Sequence, residues 1–247
     1  RRSSDLVTAP EVTITDGPAA NAYLSVTETA FTWTATDAVS PPESLEFAYK
    51  VDGLLSTWTS ISQASLSMLS EGPHIFEARA RDLVGRIGTQ SRFFVVDLTS
   101  PTVQAPTART EDGFRVRFTF TGFDNFGLAG FQAQIASDPA FTSVLLDSTL
   151  NGGSGTPIVF PGAPGNIYYA RARARDQAGH LSDQSPVSNG SAIGNVPDFV
   201  VSDVQAPPTA SSGQSLQVSW TVENVGVGGS NVPQWFDRIY LSPTSTL

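Results

Sequence analysis

Cysteine is absent from the 247-residue chain. That excludes disulfides, thiolate metal sites and a cysteine nucleophile. Lysine is almost absent too: Lys50 stands alone against thirteen arginines. The two histidines, His74 and His180, lie far apart in sequence, and neither belongs to a His-Glu-x-x-His pair. Gly-x-Ser-x-Gly and phosphate-loop patterns are also missing, so no common hydrolytic or nucleotide-binding motif is present. No stretch approaches the roughly 20 apolar residues that a membrane-crossing helix needs. Positive charge is scarce: the formal net charge is -9 and the sequence pI is about 4.6. An acidic balance argues against nucleic acid or an anionic membrane surface as partner.

What is present is strand-like alternation, broken at short intervals by Gly, Pro, Asn and Asp. This pattern predicts an all-β fold of tandem sandwiches. Proline-bearing joints, TSPT at 99–102 and NVPD at 195–198, divide the chain into units at 8–98, 101–192 and 197–247. In the first unit, FTWTATD (31–37) sets Phe31, Trp33 and Ala35 against three threonines. Asp52-Gly53 after LEFAYKV signals a hairpin turn. In the second, FRVRFTFTG (114–122) predicts Phe114, Val116, Phe118 and Phe120 on one inward face.

One phrase occurs twice. IFEARARDLVG spans 75–85 and YYARARARDQAG spans 168–179. Side chains alternate across a strand, so Tyr168, Ala170, Ala172 and Ala174 point inward while Arg171, Arg173 and Arg175 point out. In the first copy, Phe76, Ala78 and Ala80 form the inner set, with Glu77, Arg79 and Arg81 outside.

At these residues the chain resembles known modules. The pattern from Tyr168 to Gly179 resembles the F strand of a fibronectin type III domain, and FQAQIASDPAFTS (131–143) adds to it. The resemblance covers roughly 101–192 and implies that Tyr168 is a corner tyrosine bonded to nearby backbone. The first unit is similar to a bacterial immunoglobulin-like module, through YKVDG (49–53), TW (57–58) and EGPHIFEARARDLVG (71–85). It departs from the pattern in having His74 where tyrosine is usual. The third unit resembles about half of a CARDB (cell-adhesion-related) module. The matching pieces are Gly213-Gln214, Val218-Ser219-Trp220-Thr221-Val222, Asn224-Val225-Gly226 and Trp235 to Ser242.

Each candidate site also has a structural reading. The ladder of Arg171, Arg173 and Arg175 suits an acidic glycan or phosphate. Its second copy favours an exposed strand face, paired with Gln132 and Gln134 on the neighbouring strand. Trp33 and Trp220 share the inward parity of their neighbours, and Trp58 is the candidate for stacking on a sugar. Asp16, Asp37, Asp52, Asp82, Asp97, Asp124 and Asp176 fall mostly at strand ends, where Asp serves turns. Calcium at the joint after Asp97 is the other reading, although no Asp-x-Asp-x-Asp-Gly run supports it. No catalytic, cofactor or metal residue is assigned.

The functional expectation is a non-catalytic segment of a large exported bacterial surface or secreted protein. It spaces and presents other domains and takes part in adhesion, through an unknown protein or glycan partner at the cell surface. Accessory modules of a secreted hydrolase, or the ectodomain of a membrane sensor, are the alternatives. The start without Met and the end at YLSPTSTL suggest a segment of a longer chain.

Overall fold

The computed structural model describes residues 8–194, 197–226 and 237–238. Its first sandwich is built from β1 (Glu11–Asp16), β2 (Ala22–Leu24), β3 (Thr29–Thr36), β4 (Glu46–Val51), β5 (Leu54–Leu55), β6 (Gln63–Leu66), β7 (Gly72–Arg81) and β8 (Ile87–Val96). One sheet has the order β1-β3-β6 and the other β2-β8-β7-β4-β5. All pairings are antiparallel except β2 with β8. The β4–β5 hairpin turns at Asp52 (φ 50°) and Gly53 (φ 88°). Two successive positive φ values match the twist of the flanking strands, which explains the Asp-Gly pair.

Alternation becomes packing between these sheets. Phe31 and Trp33 from β3 meet Phe76, Ala78 and Ala80 from β7 and Phe94 from β8, all essentially buried. The Phe31 and Phe76 rings stack with centroids 3.9 Å apart. Alanine at 78 and 80 leaves room for these rings, since a close-packed interior tolerates little extra volume.

The second sandwich contains β9 (Thr102–Val103), β10 (Thr107–Asp112), β11 (Arg115–Phe120), β12 (Gly122–Phe123), β13 (Leu128–Ala136), β14 (Val144–Asn151), β15 (Thr156–Pro161), β16 (Ile167–Asp176) and β17 (Ser191–Ala192). Its sheets run β10-β11-β15 and β14-β13-β16-β17, with β9 and β12 forming a short pair. Val116, Phe118 and Phe120 face Phe131, Ile135 and the buried alanines 170, 172 and 174. Phe114 departs from the inward set: it is 57% exposed. It precedes β11, beside the register shift between Thr110 and Asp112, so strand parity does not carry it into the core.

Beyond β16 the chain does not form a regular strand until β17. Instead, serines at every third position hold the edge. The amides of Ala170, Ala172 and Ala174 donate to the hydroxyl oxygens of Ser188, Ser185 and Ser182, each at 2.9 Å. The serine amides donate back to the carbonyls of the same alanines at 2.8–2.9 Å. Three residues of this segment therefore match two of β16, and the hydroxyls bridge the mismatch. The edge of β16 is satisfied without a regular strand, which removes it as a template for pairing.

Among the described residues of the third unit, β18 (Phe199–Gln205) pairs antiparallel with β19 (Ser219–Asn224). Trp220 is half-buried, and its indole N–H donates to Asp237 at 3.1 Å. Most of the Trp235–Ser242 segment lies outside the described residues. The described residues are all-β: an immunoglobulin-like and a fibronectin type III-like sandwich in tandem, followed by the β18–β19 pair.

Candidate functional site

The repeated Asp-x-x-Gly builds the same loop in both sandwiches. The Asp82 amide donates to the Arg86 carbonyl at 3.0 Å, and the Asp176 amide donates to the His180 carbonyl at 3.2 Å. In return, the amides of Arg86 and His180 donate to Oδ1 of Asp82 and Asp176, at 2.7 and 2.8 Å. Gly85 (φ 86°) and Gly179 (φ 97°) take the left-handed conformation that the turn requires. The copies differ at the next residue. Arg86 lies 3.9 Å from Asp82, whereas His180 Nδ1 sits 2.9 Å from Asp176 Oδ2.

That difference matters because of where the second loop points. Residues 97–101 alone connect β8 to β9. Asp97 caps the end of β8, and its amide donates to the Leu24 carbonyl at 2.9 Å. Asp124 directly follows β12, and Asp176 ends β16. Ligand atoms of Asp97, Asp176 and His180 lie within 4.8 Å of one another. Asp97 and Asp176 are fully buried. Asp97 Oδ1 accepts the Thr99 amide at 3.3 Å, but its Oδ2 is buried without a partner. Asp124 Oδ2 accepts the Phe126 amide at 2.8 Å, and its Oδ1 is likewise buried and unpartnered. Burial pushes the Asp97 carboxyl above the usual carboxylate range. The neighbouring Asp124 and Asp176 charges push the same way, opposed by His180 and the Thr99 amide.

A clasp flanks this cluster. Glu71 of the first sandwich accepts from the Thr99 hydroxyl at 2.6 Å and from Asn125 Nδ2 at 2.9 Å. These bonds hold the Glu71 carboxyl below its ordinary value, the Thr99 hydroxyl contributing most. One carboxylate thus ties the first sandwich to both the link and the second sandwich.

The other candidates fall into place around the sheets. Arg171 Nε donates to Gln134 at 2.9 Å, Gln134 donates to Asp147 at 2.7 Å, and the Arg171 guanidinium lies 4.1 Å from the Phe141 ring centroid. Arg173 stands opposite Gln132, and Arg175 donates to Asn151 at 3.4 Å. In the first sandwich Arg79 meets Glu77 at 3.2 Å, and Arg81 pairs with Glu46. Trp58 is covered by the Arg81 guanidinium, 4.5 Å from its ring centroid, so this face is not open for a sugar. Asp37 and Asp82 accept backbone amides two to four residues on, the turn role expected for them, whereas Asp52 accepts the Ile75 amide of the neighbouring strand. The Tyr168 hydroxyl accepts the Ala163 amide at 2.8 Å. His74 spans the comparable corner: Nε2 meets the Ser70 carbonyl at 2.8 Å and Nδ1 meets Asp52 at 2.7 Å. The sequence offers Asp97, Asp124, Asp176 and His180 as separate candidates, with no signal that places Asp97, Asp176 and His180 in one cluster.

No family model and no curated protein matches the chain. Among solved structures it is similar to the fibronectin(III)-like modules of CbhA from Clostridium thermocellum, at 15% identity over 74% of this chain and 95% of that one, TM-score 0.42. It is similar to consecutive domains of titin, at 11% identity over 76% of this chain and 67% of that one, TM-score 0.49. The FN1 to FN3 domains of chicken CNTN1 are similar at 14% identity over 74% of this chain and 66% of that one, TM-score 0.41. At such identity the likeness concerns fold alone.

Proposed function

We propose that this chain is a non-catalytic spacer segment of an exported bacterial surface or secreted protein, which sets the distance and angle between other domains. The observation that carries this reading is the junction. A link of five residues and the Glu71 clasp join two complete sandwiches directly. Short links with such contacts restrict the swivelling that is otherwise the default between domains. Both histidines also have structural partners, His74 with Asp52 and Ser70 and His180 with Asp176, which fits a non-catalytic role.

The finer parts of the proposal are an adhesive role for the assembly and a CARDB-like identity for the third unit. Both rest on the sequence resemblance. Exposed strand edges and loop ends, such as the hairpin tip at Leu54 and Leu55, are where a protein or glycan partner would dock. Sequencing the gene outward from both ends tests the reading. A signal peptide, further sandwiches and a wall or lipid anchor are the expected result. A catalytic domain would make these modules the accessory part of a hydrolase, and a membrane helix followed by a kinase would make them a sensor ectodomain. Either outcome replaces the adhesion reading.

A further inference from the structure

A buried carboxylate oxygen without a hydrogen bond is costly, because neither water nor protein offsets its desolvation. The junction contains two such atoms, Asp97 Oδ2 and Asp124 Oδ1. Asp97 belongs to a group in which Asp97, Asp176 and His180 converge within 4.8 Å; Asp124 lies outside that group, though its charge acts on Asp97. The backbone leaves little freedom to disperse them. Asp176 is fixed by its loop amides, Asp124 by the Phe126 amide, and Asp97 by the end of β8.

We propose that the junction binds one divalent cation, calcium by the chemistry of its donors, through the carboxylates of Asp97 and Asp176, with Asp124 recruited as the third. Calcium takes six to eight oxygen ligands, and three carboxylates plus water or backbone carbonyls fall within that set. His180 acts through Asp176: its ring nitrogen holds Oδ2 and orients the carboxylate, as outer partners of metal ligands do. The donors come from both sides of the junction, Asp97 directly after the last strand of the first sandwich, and Asp124 and Asp176 from the ends of β12 and β16 in the second. An ion there fixes the angle between the two, a consequence that rests on the spacer reading. The repeat supplies an internal contrast. The matching loop of the first sandwich places the Arg86 guanidinium beside Asp82, where the second sandwich has the His180 imidazole beside Asp176.

The test uses the full chain, stripped with EDTA and titrated with calcium chloride by calorimetry and by thermal unfolding. The expected result is one ion per chain with a Kd of about 10⁻⁴–10⁻³ M, and a rise in the unfolding temperature of at least about 4 °C in 10 mM calcium. Asp97→Asn and Asp124→Asn are each expected to weaken binding by about tenfold or more, while Asp147→Asn, on the opposite edge of the sheet, leaves it unchanged. The proposal is overturned by no heat and no shift in the wild-type chain, by Asp97→Asn binding as tightly as wild type, or by zinc binding without calcium binding. A protonated Asp97 with no ion predicts that Asp97→Asn is neutral with and without calcium. X-ray scattering on the same samples separates the two claims. Calcium binding with no change in the scattering profile leaves the metal site standing and removes the stiffening role.

Discussion

Replacing Ser185 with alanine removes one oxygen atom and leaves one buried donor without a partner. The Ala172 amide, on a fully buried residue of β16, donates to Ser185 Oγ at 2.9 Å, and that hydroxyl donates onward to the Pro186 carbonyl at 2.9 Å. The serine itself is 5% exposed, so bulk water does not reach the vacated position. An orphaned buried donor costs about 1–3 kcal/mol, and the atom removed is too small to leave a substantial cavity. For a sandwich of this size each kcal/mol lowers the melting temperature by about 4–8 °C, so a loss near 2 kcal/mol corresponds to about 8–16 °C. Calorimetry on the full chain reads the transition of the second sandwich, and hydrogen exchange reads the Ala172 amide itself. Tryptophan fluorescence is the internal control: Trp33 and Trp58 report the first sandwich, and residues 101–192 contain no tryptophan. That signal should stay where it is. A melting shift under about 3 °C, with unchanged protection of the Ala172 amide, refutes the hydroxyl bridge as the element that holds the β16 edge.

Three further outcomes are expected. Tyr168→Phe removes the acceptor of the Ala163 amide and should cost about 1 kcal/mol. Gly162→Ala should cost more, since a methyl group there meets the Tyr168 ring at 2.4 Å; urea unfolding of both variants checks the order. The triple change Arg171, Arg173 and Arg175 to glutamine should leave the fold intact and lower stability by no more than about 1–2 kcal/mol, because exposed cross-strand pairs contribute about 0.2–1 kcal/mol each. Loss of a specific partner at constant melting temperature would make the ladder a binding site after all. Asp138 accepts the amides of Ala140, Thr142 and Ser143, which hold its carboxyl below the ordinary value, the Thr142 amide contributing most. A depressed native value means that the stabilisation is complete above the unfolded value near pH 4 and fades as pH falls through the native one. NMR titration of Asp138 should follow that course, and Asp138→Ala should flatten acid-side stability.

The sequence by itself determined the all-β class and the inner faces of the main strands. Those faces follow from strand geometry alone: alternate side chains point opposite ways, so Phe76, Ala78 and Ala80, and likewise Ala170, Ala172 and Ala174, read directly as core. The Asp-Gly turn was legible for a similarly local reason, the need for positive φ at both positions. Parity misleads before a strand has begun, as at Phe114, which precedes β11 beside a register shift. The serine bridge escaped because a three-residue spacing matches neither the strand period of two nor the helical period of 3.6. Only the tertiary structure brought Asp97, Asp176 and His180 together, with the Asp124 charge acting on Asp97. Their positions span some eighty residues of sequence, and no local rule encodes that the loops after β12 and β16 converge on the end of β8. Sandwich topology decides it, since a strand that ends one domain must leave at the pole where the next domain presents its loops.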